Sequence, residues 1–221
     1  MSKLMTYTSE DELIDAIDQD ITALVQEAHS KEESFQVLLS GGSTPGPIYD
    51  RLNANNRFKG KCKLGLIDER FVRLDSEFSN ERLMREAFSS LNSDQFVGMV
   101  HNEDYSSNLL DCKSAYAPFL NRTNLGILGM GPDGHTASLF PNDSASNDGL
   151  KAVDIDLCNT NAPSSPTQRI SCNLKFLCEI EHLMLIIFGE NKKDVLLNAA
   201  SNLPIHELLA ARPDTKIYYS A

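Results

Sequence analysis

Residues 35–45 read FQVLLSGGSTP, an apolar run that ends in two glycines, two hydroxyl residues and a proline. An apolar run of this length is typical of a strand that is buried on both faces. The glycines favour a tight turn, and proline is favoured in the first turn of a helix. The stretch therefore predicts a strand, a turn and a helix that begins at Pro45.

Similar units recur along the chain. Four further apolar runs predict buried strands, KLGLID (63–68), NLGILG (124–129), HLMLIIF (182–188) and KIYYS (216–220), and residues 96–100 predict a weaker one. Helical spacing of apolar residues predicts helices at 9–29, 80–88, 105–120, 191–200 and 203–210. Two polar segments, 141–149 and 159–167, are rich in turn-forming residues and are predicted to be surface loops.

The alternation of strands and helices determines the predicted fold class. Short apolar strands separated by helices are typical of a mostly parallel sheet that is covered on both faces. We therefore expect an α/β fold, a Rossmann-like three-layer sandwich with a mostly parallel central sheet and helices on both faces. The alternation resumes after each polar segment and no internal repeat is present, so residues 1–221 are predicted to form a single domain.

Composition excludes several classes of function. The chain is 41% hydrophobic and 23% charged, which is ordinary for a soluble globular protein. No run approaches the roughly 20 apolar residues of a membrane helix. The first residues, MSKLMTYTSEDEL, lack the apolar segment of a secretory signal, which predicts a cytoplasmic protein with no membrane partner. The net charge of −11 argues against a nucleic-acid partner, although a few basic residues in one cleft can still hold a small anion.

No metal or cofactor is predicted. The five cysteines are odd in number and include no C-x-x-C pair, so they fit neither a disulfide framework nor a zinc site. None of the five histidines is spaced from a second ligand as in known zinc motifs.

Residues that can bind or react with a ligand cluster where predicted strands end. Ligands of open α/β sheets bind beyond the carboxyl ends of the strands. The first group follows FQVLL. Gly41 and Gly42 can expose successive backbone N–H groups, and Ser43 and Thr44 add hydroxyl donors at a helix N-terminus. This arrangement suits a phosphate. It is equally compatible with a simple strand-to-helix turn in which Thr44 caps the helix.

The second group, Asp68-Glu69-Arg70, directly follows KLGLID. An arginine at the rim of a sheet can hold a phosphate or carboxylate through forked hydrogen bonds. Asp68 and Arg70 are therefore candidate substrate-binding residues. A solvated loop with a local ion pair explains the same residues, and the sequence leaves both interpretations open.

The third group is GMGPDGHTASLFP, residues 129–141. Three glycines within six residues keep this backbone bare and place His135 where a substrate would lie. Asp133, two residues earlier, can orient the imidazole and fix which nitrogen carries the proton. We therefore predict His135 as a catalytic base and Asp133 as its supporting carboxylate.

The same loop also matches the dinucleotide-binding pattern G-x-G-x-x-G, with Asp154 at a suitable distance downstream for a ribose. That pattern requires a sustained helix directly after the glycines. Pro141 and the polar segment that follows it limit any such helix to about two turns, which is too short for a βαβ crossover. We do not expect a nicotinamide cofactor.

Together these stretches resemble the 6-phosphogluconolactonase family, which belongs to a wider group with the glucosamine-6-phosphate isomerases. The resemblance runs nearly from end to end and rests on five motifs: SGGSTP (40–45), DERFV (68–72) with SN (79–80), LGMGPDGHTASLFP (128–141), RIS (169–171) and GENK (189–192). The glycine–histidine motif is the most specific of them. The others are weak individually but occur in the family's order.

The resemblance implies that the chain hydrolyses a small-molecule phosphorylated sugar lactone, 6-phosphogluconolactone, without a metal or cofactor. It implies His135 as the base and Asp133 as its support. It further implies that Ser43, Thr44, Arg169 and Lys192 surround the phosphate, with Arg70 in the same pocket. From the residues alone, Lys192 would have passed as a helix-surface lysine and Arg169 as an exposed strand end. The oligomeric state is not predicted.

Two alternatives remain on the same fold. An amino-sugar phosphate isomerase needs a carboxylate base, which Asp68 could supply, but such enzymes typically read DEY and DGHIAFNEP where this chain reads DER and DGHTASLFP. A non-catalytic sugar-phosphate sensor would keep the phosphate residues without needing His135 and Asp133 together. A serine-hydrolase mechanism is not expected, because the G-x-S-x-G elbow is absent.

Overall fold

A computed structural model of the chain describes residues 3–42, 45–198 and 202–221. In these ranges the strands are β1 (Lys3–Tyr7), β2 (Phe35–Leu39), β3 (Cys62–Leu66), β4 (Asp68–Arg70), β5 (Leu125–Leu128), β6 (Leu157–Asn161), β7 (Gln168–Cys172), β8 (His182–Phe188) and β9 (Lys216–Ser220). The helices are α1 (Glu10–Ser30), α2 (Gly46–Ala54), α3 (Asn80–Ala87), α4 (Tyr105–Ala115), α5 (Ala117–Asn121), α6 (Ser144–Lys151), α7 (Leu174–Glu179), α8 (Glu190–Leu197) and α9 (Pro204–Ala211), with a 3₁₀ turn at Ser93–Gln95.

The central sheet has the strand order β1-β9-β8-β5-β2-β3, and every neighbouring pair in it is parallel. From β2 the chain continues to β3 on one side, and later adds β5, β8 and β9 on the other. The order of strands therefore reverses between β2 and β5. Ligands of open α/β sheets bind in the crevice at such a point, beyond the carboxyl ends of the strands.

The strands of this sheet are buried on both faces. Val37, Leu38 and Leu39 on β2 are each fully buried, although successive side chains of a strand point to opposite faces. Residues 183–187 of β8 are likewise each no more than 3% exposed. Both faces must therefore be covered, which confirms the predicted α/β class with a mostly parallel sheet flanked by helices.

A second, antiparallel sheet in the order β4-β7-β6 was not predicted. The segment KLGLID was expected to be one strand, but β3 ends at Leu66 and Asp68 begins β4 in the second sheet. Ile67 joins the two sheets, because its N–H donates to Leu39 of the first and its carbonyl accepts from Cys172 of the second, both at 2.9 Å.

Both segments predicted as surface loops contain regular structure. Helix α6 begins within 141–149, where the Asp143 side chain accepts the Ser146 N–H at 2.8 Å and caps the helix. Strand β6 overlaps 159–167. Its polar residues Asn159 and Thr160 do not form the apolar pattern from which strands were predicted. In each case local polarity outweighed the apolar signal on which the prediction relied.

Two further predictions need correction. Residues 96–100 form no strand, and only a single bridge joins Phe96 to Leu64. The helix predicted over 105–120 is divided at Tyr116 into α4 and α5, with Pro118 in the first turn of α5, where a missing N–H is tolerated. Across the described ranges, no helix combines the length and apolar character needed to cross a membrane.

Candidate active site

A cleft of about 260 Å³ opens at the carboxyl ends of β2 and β5, at the reversal point of the sheet. Its lining comes from strand ends and the loops after them: Ser40, Gly41, Gly42, Pro45, Asp68, Arg70, Asn80, Ile127, Leu128, Gly129, Met130, Gly131, His135, Ala137, Ile186 and Lys192. The fold thus joins segments that lie more than one hundred residues apart in sequence.

Most of the predicted site residues meet in or beside this cleft. Those that line it are Gly41, Gly42, Asp68, Arg70, His135 and Lys192. Asp133 contacts the His135 ring, and Arg169 lies opposite Arg70 on the neighbouring strand. Ser43 and Thr44 lie outside the described residues, so their predicted contacts with phosphate stay predictions.

The loop of residues 129–141, here called the histidine loop, folds back on itself after β5. The Gly131 N–H donates to the His135 carbonyl at 2.9 Å, and the Gly134 N–H donates to the Gly131 carbonyl at 3.0 Å. The loop contains turns and isolated bridges but no helix. The helix that a dinucleotide-binding motif requires is therefore missing at this place.

Two glycines of the histidine loop are required by close packing. A Cβ at Gly131 would collide with the His135 ring and with the Asp133 carboxylate. Gly134 has a φ of +79°, and a Cβ there would collide with the Leu203 side chain. The bare backbone therefore allows the imidazole to lie directly against the loop.

His135 is held by its neighbours within the same loop. Its Nδ1 lies 2.5 Å from Asp133 Oδ1, and its ring packs against Phe140 at a centroid distance of 4.6 Å. About 30% of its side chain is exposed, so the ring is fixed but still reachable. Because an ionised carboxylate only accepts hydrogen bonds, Asp133 selects the form in which Nδ1 carries the proton. The Nε2 lone pair is then free to accept one.

Three basic side chains lie in or beside the cleft, and we call Arg70, Arg169 and Lys192 the cationic side. Arg70 and Arg169 occupy directly opposed positions on β4 and β7. Arg169 is only 7% exposed, and its Nη1 has no hydrogen-bond partner within the described residues. Burial and, to a lesser extent, the neighbouring Arg70 lower the pKa of Arg169. Arg70 in contrast donates to the Phe78 carbonyl at 2.8 Å.

Lys192 lies in the first turn of α8, directly after the tight turn at Gly189, whose φ is +85°. Partial burial lowers its pKa. In the described part of the chain it has no carboxylate partner, whereas the adjacent Lys193 pairs with Glu190 at 3.3 Å. The two lysines therefore differ: Lys193 is neutralised by Glu190, whereas Lys192 presents its charge to the cleft.

Three residues that sequence analysis did not assign also shape the site. Asn80 lines the cleft, and its side chain donates to the Asp68 carbonyl at 2.9 Å. The Ser138 hydroxyl donates to Asp68 Oδ2 at 2.6 Å, and Glu69, within β4, is almost fully buried. Had a strand been predicted to start at Asp68, the alternation of side chains would have placed Glu69 on the opposite face from Asp68 and Arg70. The motif SN (79–80) was recognised only as part of the resemblance.

Among the described residues, no group of three or more His, Cys, Asp or Glu side chains is arranged to hold a metal ion. The chemistry that the cleft offers is that of a histidine–carboxylate pair together with a set of cations.

Comparison with known proteins identifies relatives over most of the chain. A probable 6-phosphogluconolactonase of Drosophila melanogaster is 30% identical over 198 residues, which cover 88% of this chain and 81% of the relative. The 6-phosphogluconolactonase of Helicobacter pylori is 30% identical over 203 residues, which cover 87% of each protein. A crystal structure of a 6-phosphogluconolactonase from Shewanella baltica superposes with a TM-score of 0.89 at 25% identity, covering 100% of this chain and 98% of that one.

The fold is shared more widely. The 6-phosphogluconolactonase of Thermotoga maritima superposes with a TM-score of 0.85 at 24% identity, covering 99% of this chain and all of that one. These matches confirm the resemblance that the motifs indicated. The family model described as glucosamine-6-phosphate isomerases/6-phosphogluconolactonase matches residues 8–216, and the chain belongs to that family.

Proposed function

We propose that this chain hydrolyses 6-phosphogluconolactone to 6-phosphogluconate, with His135 as a general base and without a metal. The observation that carries the proposal is the cleft itself, which brings a histidine–carboxylate pair into one site with cations. The relatives described above that share about 30% identity are named as lactonases rather than isomerases. A phosphorylated lactone presents one reactive carbonyl and one anionic group, which matches the two sides of the cleft.

The histidine loop supports a direct attack by water. In the proposed reaction Nε2 of His135 takes a proton from a water molecule whose oxygen attacks the lactone carbonyl carbon. The ring C–O bond then breaks as the imidazolium returns its proton to the ring oxygen, so that one water is added in total. Asp133, 2.5 Å from Nδ1, stabilises the imidazolium in between. General acid–base catalysis of this kind contributes roughly 10²–10⁴-fold.

The cationic side supports recognition of the phosphate. Like charges on opposed strand positions are unfavourable, and a buried arginine nitrogen without a partner is costly. Arg70 and Arg169 show the first feature, and Nη1 of Arg169 shows the second among the described residues. A bound phosphate would supply the missing acceptors through charge-assisted hydrogen bonds. We infer that Gly41 and Gly42 contribute backbone donors to the same group.

Asp68 is the residue on which the isomerase alternative depends. It lines the cleft, and its Oδ2 accepts the Ser138 hydroxyl at 2.6 Å. We assign it to substrate binding, because the histidine–carboxylate pair already provides a base for hydrolysis. The carboxylate is nevertheless placed where an isomerase would use it, so the assay must separate the two activities.

The decisive experiment offers the purified chain two substrates in parallel. Opening of 6-phosphogluconolactone is followed against its spontaneous rate, and ammonia release is followed from glucosamine 6-phosphate. Catalysed, saturable lactone hydrolysis without ammonia release is the expected result. Ammonia release without lactone hydrolysis would reverse the assignment.

Metal independence is tested on the same enzyme. Exhaustive dialysis against EDTA should leave lactone hydrolysis unchanged, because the proposed mechanism uses only side chains. Activity that disappears on dialysis and returns only with added metal would contradict the mechanism.

The remaining expectations from sequence complete the proposal. We propose that residues 1–221 form one domain, which is supported by the direct pairing of β1 with β9. The cytoplasmic location and the lack of a nucleic-acid partner stay predictions.

A further inference from the structure

Glu69 is a carboxylate buried next to the cleft but not part of its lining. Only 1% of the residue is exposed. Its Oε1 accepts the backbone N–H groups of Arg70 at 2.7 Å and Asn80 at 2.8 Å. Its Oε2 accepts the Ser79 hydroxyl at 3.1 Å and the Glu81 N–H at 2.8 Å. One side chain thus binds β4 to the first turn of α3.

Glu69 and Ser79 share the unpaired N–H groups at the start of α3, with Glu69 accepting those of Asn80 and Glu81. The Ser79 hydroxyl caps α3 by accepting the Arg82 N–H at 3.1 Å. Burial raises the pKa of Glu69 to about 7, against the opposing effect of its four hydrogen bonds. A carboxylate on β4 that is buried at the cost of desolvation fixes the position of this helix start relative to that strand.

Two partners of Glu69 line the cleft, Arg70 and Asn80, and Asn80 is the one that reaches the turn at Gly41. Its backbone N–H is held by Glu69, and its side chain donates to the Asp68 carbonyl at 2.9 Å. The same amide lies against Gly41 so closely that a Cβ there would overlap it. Asn80 is therefore wedged between the turn that follows β2 and the start of β4. A shift of the first turn of α3 would release both.

We propose that Glu69 is a positioning residue that sets the phosphate-binding turn at Gly41 through Asn80. This inference rests on the proposed function, since it assumes that the turn holds the substrate's phosphate. Glu69 itself does not line the cleft, so it acts on the ligand through the residues that it holds, Asn80 beside Gly41 and the adjacent Arg70. The proposal concerns the route through Asn80.

The chemistry of the four donors explains why a carboxylate is needed. Each Glu69 oxygen accepts two hydrogen bonds, and only an ionised carboxyl group offers two such oxygens. Glu69→Gln has nearly the same volume but turns a donor toward one pair of N–H or O–H groups. That pair loses its acceptor, and the start of α3 must move away from its present place.

The test compares Glu69→Gln with a matched remote control. Asp18 on α1 is also a buried carboxylate, 6% exposed, and binds Arg57 through both of its oxygens at 2.8 and 2.7 Å. Calorimetry with 6-phosphogluconate is run at about pH 8, above the pKa of Glu69. We expect Glu69→Gln to weaken binding about tenfold, the effect of misplacing one charge-assisted hydrogen bond. Asp18→Asn should stay within about twofold of wild type.

Kinetics on the lactone separate positioning from general damage. Glu69→Gln should raise KM about tenfold and leave kcat within about threefold, because the histidine loop is not among the contacts of Glu69. An equal loss of kcat with unchanged KM would overturn the inference. Wild-type affinity in Glu69→Gln, or the same loss in Asp18→Asn, would overturn it as well.

A second variant tests the route and remains informative if Glu69→Gln does not fold. Asn80→Ala keeps the backbone N–H that Glu69 accepts but removes the contact with Gly41, and it should weaken binding to a similar extent. When Asn80 is already replaced by Ala, Glu69→Gln should weaken the binding of 6-phosphogluconate by less than about a further twofold. Additive losses, or wild-type affinity in Asn80→Ala, would contradict the route. Failure of wild-type protein to hydrolyse the lactone would contradict the proposed function instead.

Discussion

The two sides of the cleft satisfy their polar groups in opposite ways. In the histidine loop the polar groups have protein partners: Asp133 meets the His135 ring, and backbone N–H groups find carbonyls of the same loop or hydroxyls of neighbouring segments. On the cationic side, Arg169 Nη1 lacks a partner and Lys192 presents an unneutralised charge to the cleft, in the part of the chain that the structure describes. One side is satisfied within the protein, and under the proposed function a bound phosphate would satisfy the other.

This difference suggests how the chain divides recognition from reaction. A preorganised base costs no rearrangement at the moment of proton transfer. The cations instead would bind the phosphate, which does not react. The binding energy gained there can lower the barrier at the reacting carbonyl. Variants of the histidine loop should therefore change turnover, and variants of the cationic side should change affinity.

The largest effect is expected at His135. His135→Ala should lower kcat by about 10²-fold or more, because the general base is lost, while the cationic side still holds the phosphate. Steady-state kinetics on the lactone measure kcat, and calorimetry with 6-phosphogluconate measures the binding affinity separately. Turnover near wild type in folded protein would remove His135 from the mechanism.

A comparable loss is expected when the ring is displaced rather than removed. Gly131→Ala places a methyl group where the His135 ring and the Asp133 carboxylate now lie, and a displacement of about 1 Å can cost up to 10²-fold in rate. Gly46→Ala is the matched control, since a Cβ at Gly46 meets open space. The two variants should have similar melting temperatures and very different kcat values. Equal kcat values would show that the loop tolerates another ring position.

How much of the fold could be predicted depended on burial. The strands β2, β8 and β9 agree with prediction residue for residue, because strands of a covered parallel sheet are nearly continuous apolar runs. The small antiparallel sheet carries polar residues such as Asn159 and Thr160, and its strands lack that signal. Without the resemblance, Arg169 would have passed as an exposed strand end, but it is 7% exposed.

The same limit applies to the candidate site. Strand ends could be predicted from the apolar runs, and the bare glycine backbone around His135 marked the histidine loop. The contacts of Asn80 with Gly41 and of Ser138 with Asp68 join segments about 40 and 70 residues apart. Nothing in the local pattern of either segment specifies such a contact. Sequence therefore predicts which loops meet at the sheet edge better than which side chains touch.

Lys192 offers the sharpest test of the cationic side, because its neighbour is its control. Lys192→Ala should weaken binding of 6-phosphogluconate by roughly tenfold to a hundredfold, as expected for a charge-assisted hydrogen bond, and should affect gluconate far less. Lys193→Ala should leave both affinities unchanged, since Lys193 is engaged by Glu190 and lies over the Tyr219 ring. Similar losses in both variants would mean that overall charge, rather than the position of Lys192, holds the ligand.

The smallest effect, and the most direct test of the contrast between the two sides, is expected in the stability of an Arg169 variant. Arg169→Met keeps the apolar stem and removes a buried guanidinium whose Nη1 has no partner within the described residues. Because the desolvation cost disappears with the charge, the free energy of unfolding without ligand should equal that of wild type or exceed it by about 1 kcal/mol. At 100 times Kd, 6-phosphogluconate should stabilise wild type by about 2.7 kcal/mol, and at the same concentration it should stabilise the variant less. Urea unfolding with and without ligand measures all four values. A ligand-free loss of more than about 2 kcal/mol would show that Arg169 is already satisfied in the free protein, and the cationic side would then be as complete as the histidine loop.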